Sequence, residues 1–335
     1  MMGSKNYNRR LFIKVSALAG AGISLFPLSS SSFPGVLPSV KGKRIGIIGL
    51  DTSHSEVFTK AINSGGPEMG GYKVVAAYPH GSPDIPSALK MKPDVINAVK
   101  ALNVEIVSSI EELVKKVDVV LLESNDGRPH YWQALLVLRA GKRMFIDKPI
   151  AANEKDAIRI FEASKKYKSP IFSSSALRFD PNVQKVVSGS IGKVTGADVY
   201  TPAEIEKNHM DLAWYGIHGV EMLFTVMGPG CKTVSRVYQE GTDLITGVWE
   251  DGRIGTVRGI RKGAANIAGT AFGEKGIAPL GPFQSYDPLI AQIITFFETG
   301  IPPVSEEETL EIFSFIAAAD MSRVKNGAAV TLKNR

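Results

Sequence analysis

The 335-residue sequence predicts an α/β chain: a doubly wound parallel sheet over residues 41–150, then a strand-rich α+β domain over residues 151–335. Three observations carry this prediction. Short β-branched runs alternate with segments of helical pattern from Ile45 to Ile146, the rhythm of parallel strands joined by crossover helices. Between Lys193 and Phe272 the pattern changes to successive strands with turn residues between them. A chain of this length with 44% hydrophobic residues can bury a large core, and two domains are its natural division.

Residues 1–40 stand apart from both domains. The formal charge is +6, and Lys5, Arg9, Arg10, Lys14, Lys41 and Lys43, with no acid among them, account for all of it. The remainder carries no net charge, so the composition gives no argument for a nucleic-acid partner. Asn8-Arg9-Arg10-Leu11-Phe12-Ile13-Lys14 precedes a modestly apolar segment, Val15 to Leu28, in the pattern of a twin-arginine export signal. Gly20, Gly22, Ser24 and Pro27 interrupt that segment, which is too short to span a membrane. The expectation is a periplasmic or otherwise exported protein, cleaved between Ser29 and Val40, with no membrane span in its mature form. Its single cysteine, Cys231, excludes an intrachain disulfide.

The first strand is Ile45 to Ile48, which are mostly β-branched and too few for a helix. Gly49 opens a turn, and Ser53 onward has helical promise. In the dinucleotide-binding fingerprint, glycines stand first, third and sixth after such a strand, so that backbone can approach a pyrophosphate at the helix N-terminus. Here those positions are Gly49, Asp51 and His54. Asp51, Thr52 and Ser53 are good N-cap residues, and one of them is expected to cap the helix. The functional alternative is that backbone N–H groups and the hydroxyls of Thr52 and Ser53 hold an anion there. Tyr72 to Tyr78 reads as the second strand. Tyr78, Pro79 and His80 follow it where an acidic ribose ligand is usual, and Pro79 to Pro93 reads as a proline-rich loop. Val104–Val107, Asp118–Glu123 and Arg143–Ile146 continue the strands; Ser109–Lys116 and Tyr131–Ala140 are the helices between them. Ser124, Asn125, Asp126, Asp147 and Lys148 directly follow strands and should converge on one crevice at the carboxyl edge. In the second domain Lys193–Tyr200, Cys231–Gln239, Asp243–Trp249, Arg253–Arg261 and Asn266–Phe272 have strand character. Asp287–Thr299 and Leu310–Lys325 close the chain as helices, with Ile312, Ile316 and Ala319 at core spacing.

The segment AGKRMFIDKPIA, with Lys148 in it, resembles the A-G-K-x-V-x-x-E-K-P-x-A signature of the glucose-fructose oxidoreductase, inositol dehydrogenase and MocA family (Gfo/Idh/MocA). Asp147 stands where that signature has glutamate. KRIGIIG, DVVLLESN, LRFDP, GIHGVEML, EDGRIGTV, FGEKG and the closing helices agree with the family in order and spacing, so the resemblance covers residues 43–332. It implies a Rossmann-type parallel sheet followed by an α+β domain with an open, mainly antiparallel sheet, often a homo-oligomer interface. It also implies NAD or NADP as cofactor, held by Gly49, Asp51, Thr52, Ser53, His54, Ser124, Asn125 and Lys148, and hydride transfer at a hydroxyl of a sugar, cyclitol or derivative.

By the same resemblance Lys148 lies beside the nicotinamide and the substrate hydroxyl, and His218 of GIHGVEML is the acid or base. Read without the family, Lys148 would be a solvated lysine and His218 a hydrogen-bonded core residue. The family aspartate one turn before that histidine corresponds to Trp214. Asp211 precedes His218 by seven residues, nearly two helical turns, and is the candidate replacement. Glu221 is placed to orient the imidazole. Arg178 is a candidate substrate contact or a domain bridge, and Trp214 with Tyr215 a candidate sugar-stacking wall. His130 has a family counterpart nearby. His209, Asp211 and His218 are close in sequence, but no metal motif accompanies them, and no metal site is expected. Two other readings stay open: a carbohydrate-binding protein without redox activity, and a lyase acting on sugars in the same crevice. Asp51, His54 and Trp214 favour them, whereas Lys148 and His218 favour the oxidoreductase.

Overall fold

The computed structural model describes residues 42–332; the export signal and linker expected over residues 1–40 lie outside the described residues. Six parallel strands form the first sheet: β1 (Arg44–Ile48), β2 (Lys73–Tyr78), β3 (Glu105–Ile106), β4 (Val119–Leu122), β5 (Arg143–Asp147) and β6 (Ile171–Ser174). Their order is β3-β2-β1-β4-β5-β6. The chain runs outward from β1 and then doubles back to start β4 on its other side, which opens a crevice between the loops after β1 and β4. Every residue of β4 and β5 is buried, as helices on both faces require of a parallel sheet.

Five helices serve this sheet: α1 (Ser53–Ser64), α2 (Pro86–Ala101), α3 (Ile110–Lys116), α4 (His130–Arg139) and α5 (Glu154–Tyr167). Ser109 caps α3 and Asn153 caps α5, each side chain accepting from a backbone N–H in the first turn. Two sequence expectations need correction. The proline-rich loop ends at Ile85, because Pro86 sits in the first turn of α2, where a missing N–H costs nothing, and Pro93 lies inside that helix. Burial of Ala88, Val95 and Val99 along one stripe holds α2 despite Pro93. The parallel sheet also continues past residue 150: β6 is a buried Ile-Phe-Ser-Ser strand, too short and polar for its pattern to be read.

The second sheet has β7 (Val194–Pro202), β8 (Cys231–Gln239), β9 (Thr242–Trp249), β10 (Ile254–Ile260), β11 (Ala268–Gly273), β12 (Gly276–Leu280) and β13 (Val330–Thr331), in the order β12-β11-β7-β10-β9-β8-β13. All pairs are antiparallel except β7 with β10. The remaining helices are α6 (Pro181–Val187), α7 (Ile217–Met227), α8 (Asp287–Thr299) and α9 (Glu306–Val324). Val199, Ile245 and Val257 from the sheet share one core with Leu223 and Phe224 of α7 and Phe315 of α9. On exposed positions of the same strands stand Tyr200, Val237, Val248, Ile254 and Ile277. Helix α8 returns to the first sheet, where Ile290, Ile293, Phe296 and Phe297 join Ile45, Ile47, Phe58 and Phe145 in a second core. Among the described residues no helix is long and apolar enough to cross a membrane.

Candidate active site

Gly49 ends β1 with φ of +91°, and a Cβ there would lie 2.5 Å from the backbone of Ser124. Only glycine lets the first turn touch the loop after β4 so closely. Thr52 is the cap of α1, its Oγ1 accepting from His54 N at 3.4 Å, while Ser53 is exposed on the first turn. Asp51 has another task. Its buried carboxylate accepts from Ser82 N at 2.5 Å and Asn125 N at 3.1 Å, joining the loops after β2 and β4.

His54, at the third glycine position, points into the crevice. Its Nδ1 lies 2.7 Å from Asp147 Oδ2 and its Nε2 2.9 Å from the Tyr286 hydroxyl, and the ring stacks on Phe58. Burial pushes the Asp147 carboxyl up, but the charges of His54 and Lys148 and a hydrogen bond from His54 outweigh it and hold the group at about 2. Glu123, just past β4, is fully buried, and neither carboxylate oxygen has a hydrogen-bond partner. Burial, reinforced by Asp147, pushes its pKa well above the ordinary value. The Tyr286 hydroxyl is pushed up to about 12, first by burial and then by Asp147.

Lys148, next along from Asp147, places Nζ 5.9 Å from the centre of the Tyr215 ring, whose edge meets His218 at 5.5 Å between centroids. Tyr215 is 42% exposed while Lys148 and His218 are buried, so the ring forms a rim over the pair. Burial, then the charges of Lys148 and His54, lower the pKa of His218 well below its usual value and keep the imidazole neutral. His218 Nδ1 lies 2.7 Å from Ser175 Oγ. Glu221 accepts from Ser175 N at 2.9 Å and from Ser174 Oγ at 3.2 Å, so it acts on the imidazole only through Ser175. Arg178 is buried between Glu221 and Glu308, at 3.6 and 2.7 Å, and ties the turn after β6 to α7 and α9.

Around the loop after β4, Ser124 Oγ donates to Gln133 at 2.8 Å, and His130 sits between the carbonyls of Ser124 and Ile150, at 2.8 and 3.1 Å. Burial lowers the pKa of His130. Neutral, the imidazole donates to one of these carbonyls at a time, on the loop of Asn125 or on that of Lys148. His209 accepts from Gly127 N at 3.1 Å and packs beside Trp214, the chain neighbour of Tyr215. Asp211 does not pair with His218. It binds Arg236 and Arg323, because residues 211–216 form turns and α7 begins only at Ile217, so the two-turn spacing does not apply. Sequence reasoning missed Ser175, Tyr286 and the buried Glu123. No motif marks them, and each is brought in by the fold.

A parallel sheet with a glycine turn at its switch point defines a Rossmann-type fold, joined here to a mixed sheet. Residues 43–174 match the Gfo/Idh/MocA family model, described as the oxidoreductase family with an NAD-binding Rossmann fold. Solved structures extend the likeness to both sheets. A probable dehydrogenase from Thermotoga maritima is 20% identical with a TM-score of 0.71, the match covering 86% of this chain and 98% of that one. A putative myo-inositol dehydrogenase from Sinorhizobium meliloti is 16% identical with a TM-score of 0.72, covering 87% and 100%. Scyllo-inositol dehydrogenase from Lactobacillus casei, solved with NAD(H) and scyllo-inositol, is 18% identical with a TM-score of 0.67, covering 87% and 99%. At such identities the likeness establishes the fold. A search of curated proteins finds no match.

The turn fits a dinucleotide at its phosphates. α1 presents its N-terminus two residues after Asp51, and two backbone N–H groups already engage the Asp51 charge. Asn125 N–H is one of these and is therefore taken. On the ribose side, β2 ends at Tyr78 with no acidic residue directly after it.

Proposed function

We propose that this protein is an NAD(P)-dependent oxidoreductase acting on a hydroxyl of a sugar, cyclitol or related polyol. The observation that carries the reading is the meeting of Lys148 and His218 under the Tyr215 ring, at the carboxyl edge of the parallel sheet. Bound between the α1 N-terminus, Ser124 and Lys148, the dinucleotide would supply the hydride acceptor. The protein's own residues handle the proton. Lys148 donates a hydrogen bond to the substrate oxygen. With Nδ1–H donating to Ser175 Oγ, His218 keeps a lone pair on Nε2 and accepts the hydroxyl proton there. The Ser175 hydroxyl can instead donate to Nδ1, which supports the other tautomer for the reverse reaction. Tyr215, apolar and exposed, offers a face for a sugar ring.

One observation favours a redox-neutral reading, a sugar lyase or binding protein: the Asp51 carboxylate occupies the backbone donors of Ser82 and Asn125, in the loops after β2 and β4. Native mass and ultraviolet absorbance of the purified protein, followed by calorimetry with NAD and NADP, separate the two. Bound or tightly binding dinucleotide supports hydride transfer; an empty protein that takes up neither sinks it and promotes the redox-neutral reading.

Two further parts of the proposal concern place and assembly. The Arg9-Arg10 leader supports export by the twin-arginine route, and the apolar residues exposed across five strands of the second sheet support a homo-oligomer formed through that face.

A further inference from the structure

We propose that His54, Glu123 and Asp147 form a binding site for one divalent first-row transition-metal cation. The side chains come from three separate elements, the first turn of α1 and the ends of β4 and β5, and their ligand atoms all lie within 4.8 Å of one another. All three are buried, Glu123 completely. Both oxygens of Glu123 lack a hydrogen-bond partner although one lies within 4.8 Å of ligand atoms of His54 and Asp147, which is an arrangement proteins rarely leave uncompensated. A cation satisfies both carboxylates at once.

The donor set chooses the ion. One imidazole nitrogen and two carboxylates suit Mn²⁺ or Zn²⁺ better than Ca²⁺, which seeks six or more oxygens. Metal–ligand bonds of about 2.0–2.2 Å place ligand atoms roughly 3–4 Å apart, so a small inward rotation of the three side chains closes the site. Tyr286 already supplies the outer support. With Nδ1 bound to the metal, His54 Nε2–H donates to the Tyr286 hydroxyl, now 2.9 Å away, and the tautomer is fixed. Lys148, His218 and Tyr286 are the other polar groups around the cluster. The sequence shows none of this, because the three residues are spread over 94 positions.

The test uses the full chain, stripped with EDTA and free of dinucleotide, so that its outcome is independent of hydride transfer. Titration with MnCl₂ and with ZnCl₂ in a calorimeter is expected to show one equivalent bound. Glu123→Gln and His54→Gln are expected to weaken it by more than about tenfold, and Tyr286→Phe by about tenfold. No uptake by the wild-type protein, or equal uptake by Glu123→Gln, overturns the proposal. Should the variants fail to fold, pulsed electron paramagnetic resonance of the Mn²⁺-loaded wild type decides. A histidine nitrogen coupling is expected, and its absence overturns the assignment.

Discussion

His218 has one ring nitrogen engaged and one free, and under the proposed function that asymmetry gives its proton chemistry a direction. His218→Gln is expected to lower kcat by about 10²- to 10⁴-fold while leaving dinucleotide affinity near its original value, measured by calorimetry beside steady-state kinetics. Ser175→Ala, which removes only the partner of Nδ1, should cost less, about tenfold. Lys148 and His218, on which the proposed function rests, stand out in the sequence because each sits in a dense local motif. Ser175 was not, since a serine after a strand has no distinguishing pattern until the fold sets it 2.7 Å from an imidazole. Asp211 misled for the opposite reason: its spacing suited a helix that does not extend so far back.

Individual elements were read from periodicity wherever burial was one-sided or complete. The strands β1, β4 and β5 and the helix α8 stood out as apolar runs or stripes. Helix α2 did not, because proline content outweighed a three-residue apolar stripe, and β6 did not, because half of it is serine. Pro93 gives α2 a measurable weakness. The proline removes an N–H and its ring crowds the preceding turn, so Pro93→Ala is expected to stabilise the protein by up to about 3 kcal/mol in denaturant titration. Pro93 is exposed, so the change leaves core packing intact.

Across the whole molecule, the second sheet presents one face to the core and one to solvent. Val237 and Ile254 are 65% and 53% exposed on that outer face. Val237→Asp combined with Ile254→Asp is expected to convert an oligomer to monomers in sedimentation velocity without loss of helical circular dichroism; wild-type protein that is already monomeric refutes the assembly. The same sheet carries a network of buried charges in which Arg236 meets Asp211, Asp243 and Asp320 at 3.0, 2.8 and 2.8 Å. Burial and the neighbouring Asp211 raise the Asp320 carboxyl to about 6. Because its folded pKa lies above the unfolded value, the protonated form favours the fold: that stabilisation is complete below about pH 4 and is lost as the pH rises through about 6. Denaturation midpoints of wild type and Asp320→Asn should therefore converge toward acid and diverge between these limits.

The Asp51 bridge has a dynamic consequence. A carboxylate that accepts from the amides of Ser82 and Asn125 makes a latch between two loops 43 residues apart in sequence, closed when the chain folds and before any ligand arrives. Opening either loop at this point uncovers the same buried charge, so the two are released as one cooperative unit. Hydrogen exchange is expected to report this directly, with the amide protons of Ser82 and Asn125 showing matched protection that falls for both when Asp51 is replaced by Ala.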